Sequence, residues 1–271
     1  TWGDAFAAIK SAVSATSGSK IGAIAGDLAS VEEMYALKAL INALGSTNTD
    51  CRQDGAALDP SLGRASYLFN ATIEGIESAD AILIVGANPR YEAAVLNARI
   101  RKAWRRSGLP IGVIGEGGEM RYPYEHLGAG TDTLADLVAG KASFADKLKA
   151  AKNPLIIIGQ GALSGAEGAA VLANAAALAM AVGAVTEDWN GFAVLHTAAS
   201  RVGGLDLGFV PGEGAAAAAD MLSSMDVLFL LGADELDFTK KQAKFTVYIG
   251  SHGDNGAHHA DVILPGAAYT E

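Results

Sequence analysis

A chain of 271 residues with a formal net charge of −10 lacks the cationic surplus that a nucleic-acid partner requires. Apolar residues make up 50% and charged residues 18%, with 33 glycines and few aromatics, which suits small-residue helices packed on sheets and excludes a disordered chain. The single cysteine, Cys51, excludes a disulfide within the chain and a thiolate-held zinc or iron–sulfur site.

Thr1-Trp-Gly-Asp-Ala-Phe6 reads as a cap followed by an amphipathic helix through about Val13. No apolar leader precedes it and Thr1 is not an initiator methionine, so the chain is expected to be an excised piece. Lys20-Ile-Gly-Ala-Ile-Ala-Gly26 then forms a short apolar strand. Asp27 and Ser30 offer caps for a helix over 31–44, in which Met34, Leu37, Leu40, Ile41 and Leu44 keep helical spacing. Ser46 to Asn70 is a long polar connection with turns at Asp54-Gly55 and Asp59-Pro60, as expected of a segment that serves a site or an interface. Cys51 lies there beside Arg52, where a lowered thiol pKa is conceivable, although no histidine is near in sequence and a plain loop cysteine is the expectation.

In Ser78-Ala-Asp-Ala-Ile-Leu-Ile-Val-Gly-Ala-Asn-Pro-Arg-Tyr-Glu92, Asp80 leads into a continuous apolar run that a glycine ends, the pattern of a parallel strand buried on both faces. The carboxyl end of such a strand is where ligands sit. Helical patterns flank it at 72–77 and 91–105. The second closes on the basic cluster Arg99-Ile-Arg-Lys-Ala-Trp-Arg-Arg106, which reads as a solvated helix end. Ile111-Gly-Val-Ile-Gly115 is a further strand, Glu116 to His126 is irregular, and a helix begins at Asp132.

The second half repeats the first. Pro154-Leu-Ile-Ile-Ile-Gly159 matches the strand at 20–26, Val182-Gly-Ala-Val-Thr186 matches Leu44-Gly-Ser-Thr-Asn48, Ser224-Met-Asp-Val-Leu-Phe-Leu-Leu-Gly-Ala-Asp-Glu235 matches the Asp80 stretch, and Thr246-Val-Tyr-Ile-Gly250 matches 111–115. The expectation is two consecutive Rossmann-like α/β domains with mainly parallel sheets, 1–148 and 149–271, the second cut short at its carboxyl end, with a cleft between their strand ends. Gly159-Gln-Gly-Ala-Leu-Ser-Gly165 approximates a dinucleotide fingerprint, with Glu187 or Asp188 about twenty residues on, but its glycine spacing is one residue too long. The apolar stretch Gly168 to Val185 is built from alanine and glycine and reads as a helix buried on the sheet, with no direct membrane insertion. His252, His258 and His259 lie near Asp254 and Asp261, yet adjacent histidines suit no chelating face. No catalytic residue and no metal site are expected.

Asp80-Ala-Ile-Leu-Ile-Val-Gly-Ala-Asn-Pro-Arg90, Gly130-Thr-Asp132 and Ala260-Asp-Val-Ile-Leu-Pro265 resemble the molybdopterin oxidoreductase family. Asp50-Cys-Arg-Gln-Asp-Gly-Ala56, Ser66-Tyr-Leu-Phe-Asn70, Leu96-Asn-Ala-Arg-Ile-Arg101, Tyr122-Pro-Tyr-Glu-His-Leu127 and Leu264-Pro-Gly-Ala-Ala-Tyr-Thr-Glu271 resemble one branch of it, the large iron–sulfur subunits of proton-pumping NADH:quinone oxidoreductase. The resemblance implies a formate dehydrogenase-like fold and a cleft without cofactor, in which Gly86, Asn88, Pro89, Gly159 and Gly161 are vestigial nucleotide-type loops. Ile114-Gly-Glu116 stands where many cofactor-binding relatives carry Asp-Pro-Arg. It also implies 4Fe-4S and 2Fe-2S clusters in an amino-terminal region absent here, with that region and the other subunits of the hydrophilic arm as partners. The place implied is peripheral, at the cytoplasmic side of a bacterial inner membrane or the mitochondrial matrix side. Two alternatives stand beside this: a fragment of an active molybdopterin enzyme with Cys51 or Ser61 as metal ligand, and an autonomous NAD-binding domain using Gly159 to Gly165 with Glu187 or Asp188.

Overall fold

The computed structural model describes residues 1–268 and 270, so of the Leu264–Glu271 segment Tyr269 and Glu271 lie outside the described residues. In chain order the elements are α1 (Trp2–Ser14), β1 (Ile21–Ala25), α2 (Val31–Ala43), β2 (Asn48–Asp50), α3 (Thr72–Gly75), β3 (Ala81–Val85), α4 (Pro89–Glu92), α5 (Ala94–Ser107), β4 (Ile111–Ile114), β5 (Glu125–Gly128), α6 (Thr131–Val138) and α7 (Phe144–Ala150). They continue as β6 (Pro154–Gly159), α8 (Gln160–Leu163), α9 (Gly168–Ala181), β7 (Phe192–Leu195), α10 (Arg201–Asp206), α11 (Ala218–Ser224), β8 (Val227–Leu231), β9 (Phe245–Gly250), α12 (Asn255–His258) and β10 (Val262–Pro265).

Two five-stranded parallel sheets have the orders β10-β9-β8-β1-β2 and β5-β4-β3-β6-β7. The repeat is therefore present, but its copies are not laid out as consecutive domains. β3 pairs with β6 from Ala81↔Pro154 to Val85↔Ile158, and β1 pairs with β8 from Ile21↔Val227 to Ala25↔Leu231. Each copy gives two strands to one sheet and three to the other. The compact units are accordingly Thr1–Gly55 with Ala198–Glu271, and Ala56–Thr197, which corrects the division expected at 148/149. The physical reason is that two similar copies offer equivalent strand edges, so a half-sheet pairs equally well with its own copy or with the other. The long connections after β2 and after β7 carry the chain across, and sequence similarity does not distinguish the two pairings.

β1, β3, β6 and β8 are buried along their whole length, as continuous apolar runs require when helices cover both faces. In the 56–197 unit Ile82, Ile84, Ile100, Ile111, Val113, Leu155 and Ile157 meet in one cluster. Ile24, Met221, Leu228, Leu230 and Tyr248 do so in the other unit. Each such side chain contributes about 1.5–3 kcal/mol on burial.

The helix starts follow the sequence closely. Thr1 with Asp4, and Ser30 with Glu33, form reciprocal capping boxes, so Ser30 and not Asp27 starts α2. The pattern at 91–105 resolves into α4 and α5, because Ala93 takes an extended φ of −151° after the Asn88 cap. The basic cluster ends at Gly108 in the left-handed region, and Arg99 and Lys102 are tied to Glu77 at 2.8 Å each. α9 stops at Ala181 and buries one face only, with Met180 69% exposed. The helix read over 168–185 thus ends four residues early, and the strand after it lies at 192–195, following a turn in which Thr186 N donates to Trp189 O.

The repeated aspartates fasten the swapped pairs where the strands begin. Asp80 accepts from Lys152 N and Asn153 N, both at 2.8 Å, just ahead of β6. Asp226 donates its own N–H to Lys20 O just ahead of β1, and its carboxylate binds Thr16 Oγ1 at 2.8 Å and Lys244 Nζ at 2.9 Å. Removing Asp80 (Asp80→Ala) should lower stability by about 1 kcal/mol, roughly 2–4 °C in melting temperature, as followed by circular dichroism. The hydrogen bonds from Lys244 and Thr16 hold the Asp226 carboxyl below its ordinary value, so its stabilisation is present above the unfolded pKa near ~3.9 and is lost as pH falls through the folded one. Asp226→Asn should therefore melt below the parent at neutral pH, and thermal melts recorded down to the carboxylate range should show that gap closing.

Candidate functional site

In a doubly wound sheet the crevice opens where successive connections leave in opposite directions. In the 56–197 unit that point lies between β3 and β6. Gly86 ends β3 with φ +57°, and a Cβ there would stand 2.4 Å from Ala162 Cβ. A Cβ on Gly159, at the end of β6, would stand 2.3 Å from Gly86 O. Only glycine permits so close an approach of the two loops. Gly161 follows with no atom within 4 Å of where its Cβ would be, and Asn88 Oδ1 caps α4 by accepting from Arg90 N, with Pro89 at the first helical position. The five loop residues singled out by sequence are thus side by side at the strand ends.

Carboxylates furnish the polar surface around them. Glu92 folds back so that its Oε1 accepts from Asn88 N at 2.5 Å. Glu116 and Glu119 line the same hollow of about 610 Å³. Glu119 binds Arg90 and Arg121 at 2.7 Å each, and the Arg90 hydrogen bond holds its carboxyl below the ordinary value. A second hollow of about 370 Å³, lined by Gly86, Gly115, Leu134, Gly165 and Val171, contains Glu167, whose Oε2 accepts from Thr131 Oγ1 at 2.7 Å.

The other unit has its switch point between β1 and β8, where a Cβ on Gly26 would overlap Gly232 O. Asp27, Asp234 and Glu235 follow these glycines. Gln53 Nε2 donates to Asp27 Oδ1 at 2.9 Å and to Glu235 Oε2 at 2.5 Å. Arg201 is fully buried, with Nη2 2.9 Å from Asp54 Oδ1 and 4.0 Å from Asp27 Oδ1. Burial pushes the Asp27 carboxyl up, against the opposing pull of Gln53 and Arg201. Gln53 and Arg201 carry no signature in sequence. Only the Gly232-Ala-Asp-Glu235 counterpart of Gly86-Ala-Asn-Pro89 pointed here.

The remaining candidates do not converge on a site. Cys51 is buried and its thiol is pushed up to about 12, first by burial and then by Asp50, so the low pKa conceivable from Arg52 does not arise. A Cβ on Gly204 would lie 2.7 Å from its Sγ, so Cys51 acts as packing under α10. Ser61 lies in an exposed turn and donates its backbone N–H to Asp59. Glu187 and Asp188 precede β7 and so sit at its amino end, opposite the end where a ribose-binding acid belongs. His259 stacks on Phe238 at 4.7 Å and Asp261 binds Thr246 N. Among the described residues no group of three or more His, Cys, Asp or Glu side chains could hold a metal ion.

The profile of the molybdopterin oxidoreductase family matches residues 1–271. The chain belongs to the molybdopterin oxidoreductase family. It is 42% identical over 271 residues to the G subunit of the NADH-quinone oxidoreductase of Rickettsia bellii, covering 100% of this chain and 39% of that protein. Against the mitochondrial NADH-ubiquinone oxidoreductase 78 kDa subunit of Neurospora crassa it is 45% identical over 261 residues, 94% of this chain and 34% of that protein. The chain thus spans 39% of the bacterial relative and 34% of the fungal one. The pterin–nucleotide that the family name implies does not fit the loops of this molybdopterin oxidoreductase chain. Glu92 occupies the amide at the start of α4, Glu167 engages the Thr131 hydroxyl, and Glu116 faces the hollow, so nucleotide phosphates would meet like charge.

Two variants separate tight from open glycines. Gly159→Ala should destabilise by about 1–3 kcal/mol through overlap with Gly86 O, while Gly161→Ala should stay within about 0.5 kcal/mol of the parent in urea titrations. Ellman's reagent at pH 8 should leave native Cys51 untouched and modify it promptly in denaturant.

Proposed function

We propose that this chain is the molybdopterin oxidoreductase-type part of a subunit of a proton-translocating NADH:quinone oxidoreductase, and that it serves there as a scaffold without a cofactor of its own. The observation that carries the reading is 42% identity along the whole chain to the Rickettsia bellii protein. The carboxylates at both switch points support the cofactor-free part of it. Electrons from NADH would pass toward quinone through 4Fe-4S and 2Fe-2S clusters in a part of the subunit outside these 271 residues, since the only cysteine here is buried and protonated. The partners are that iron–sulfur region and other subunits of the hydrophilic arm. The complex would be entered peripherally, on the cytoplasmic face of a bacterial inner membrane or the matrix face of a mitochondrial one. No described helix is long and apolar enough to cross a membrane.

Native mass spectrometry of the chain purified without added cofactor, with elemental analysis for Mo, W and Fe, tests this. A bare polypeptide mass is expected. A mass increment of a pterin–nucleotide with stoichiometric molybdenum or tungsten would overturn it.

A further inference from the structure

α5 carries five of the chain's 20 Lys and Arg residues within the stretch Arg99 to Arg106, and no acidic residue from Ala94 to Ser107. Three of the five serve the fold. Arg99 and Lys102 hold the Glu77 carboxylate, and Arg106 donates to the Glu77 carbonyl, although the Lys102 side chain stays 66% exposed. Arg101 and Arg105 are exposed, and neither has a hydrogen bond or ion pair among the described residues. The carbonyl end of a helix accounts for cations in its last turn, which here holds Arg105 and Arg106. Arg101 stands a turn earlier and is not accounted for in that way.

The same outward side continues into apolar residues. Val95, Ala98, Arg101 or Lys102, and Arg105 recur at spacings of three and four, the period of one helix face, and all five are exposed. Val95 is 74% exposed, and Tyr91, just ahead of the break at Ala93, is 76% exposed. These are the two most exposed large apolar side chains among the described residues. At 1.5 Å per residue the stripe from Val95 to Arg105 runs about 15 Å, or about three helical turns.

The sign of the charge selects the occupant. The chain as a whole carries −10, so a broad anionic surface such as a lipid leaflet or a nucleic acid meets net repulsion. A short acidic segment meets the local cations only, because exposed charges more than ~10 Å apart are screened in 0.1 M salt. Arginine is also the cation whose planar fork matches a carboxylate in bidentate fashion. We infer that the outward face of α5 docks an acidic segment of a neighbouring polypeptide, its carboxylates on Arg101, Lys102 and Arg105 and an apolar side chain on Val95 and Ala98. Binding at this face does not depend on whether the crevices hold a cofactor, so it is read independently of the mass measurement above.

Fluorescence anisotropy at low ionic strength, with the peptide Leu-Glu-Glu-Leu-Glu-Asp-Leu-Glu-amide labelled with fluorescein at its amino end, tests this on the whole chain. One saturable site per chain is expected. Arg101→Gln with Arg105→Gln should weaken it by about tenfold or more, and Val95→Ser should weaken it to a smaller degree. Both variants should keep the parent melting curve, since the replaced side chains are exposed and the two arginines bind nothing in the chain. Lys10→Gln with Lys149→Gln, the same change in charge at exposed lysines elsewhere, should leave the affinity within about twofold. No saturable binding, or an equal loss in the Lys10 and Lys149 variant, would overturn the assignment. So would tighter binding of phosphatidylglycerol vesicles or oligouridylate RNA through Arg101 and Arg105, or a dimer of the chain that the Arg101 and Arg105 variant abolishes.

Discussion

The pairing of β1 with β8 and of β3 with β6 is the constraint on which the rest depends. It sets Ile21 opposite Val227 and Ala81 opposite Pro154, so each sheet is centred on strands from opposite halves of the chain. Every switch point then lies at a junction between the two copies. The glycine approaches of Gly26 to Gly232 and of Gly159 to Gly86 are direct products of that junction. Contacts this distant in sequence must overcome the entropy of closing long loops before they are rewarded, and the aspartates ahead of the paired strands add native hydrogen bonds at those junctions.

The same topology that elsewhere gathers backbone amides for a nucleotide here gathers carboxylates. Glu92, Glu116 and Glu167 lie at the strand ends in one unit, and Asp27, Asp234 and Glu235 in the other. A common framework of this kind fixes where strand ends and loops meet, while the side chains placed on it decide the chemistry.

Much of this was legible in residues whose meaning is local. The buried strands followed from unbroken apolar runs, α1 and α2 from the caps at Thr1 and Ser30 and their helical spacing, and the turns after β3 and β6 from the glycines that end those strands. What was not legible depends on partners distant in the chain. The strand at 192–195 is a four-residue run with no alternation to mark it, and the roles of Gln53 and Arg201 exist only once β1, β2 and α10 are brought together. The exchange of halves between the copies is the clearest case, because two similar copies leave each half-sheet with two equivalent edges.

Expressing residues 1–148 and 149–271 separately and then mixing them tests the exchanged pairing most directly. If β1 needs β8 and β3 needs β6, neither fragment alone shows cooperative thermal unfolding by circular dichroism, and the mixture regains the melting transition of the intact chain. Cooperative unfolding of either fragment on its own would contradict the exchange and restore two consecutive domains.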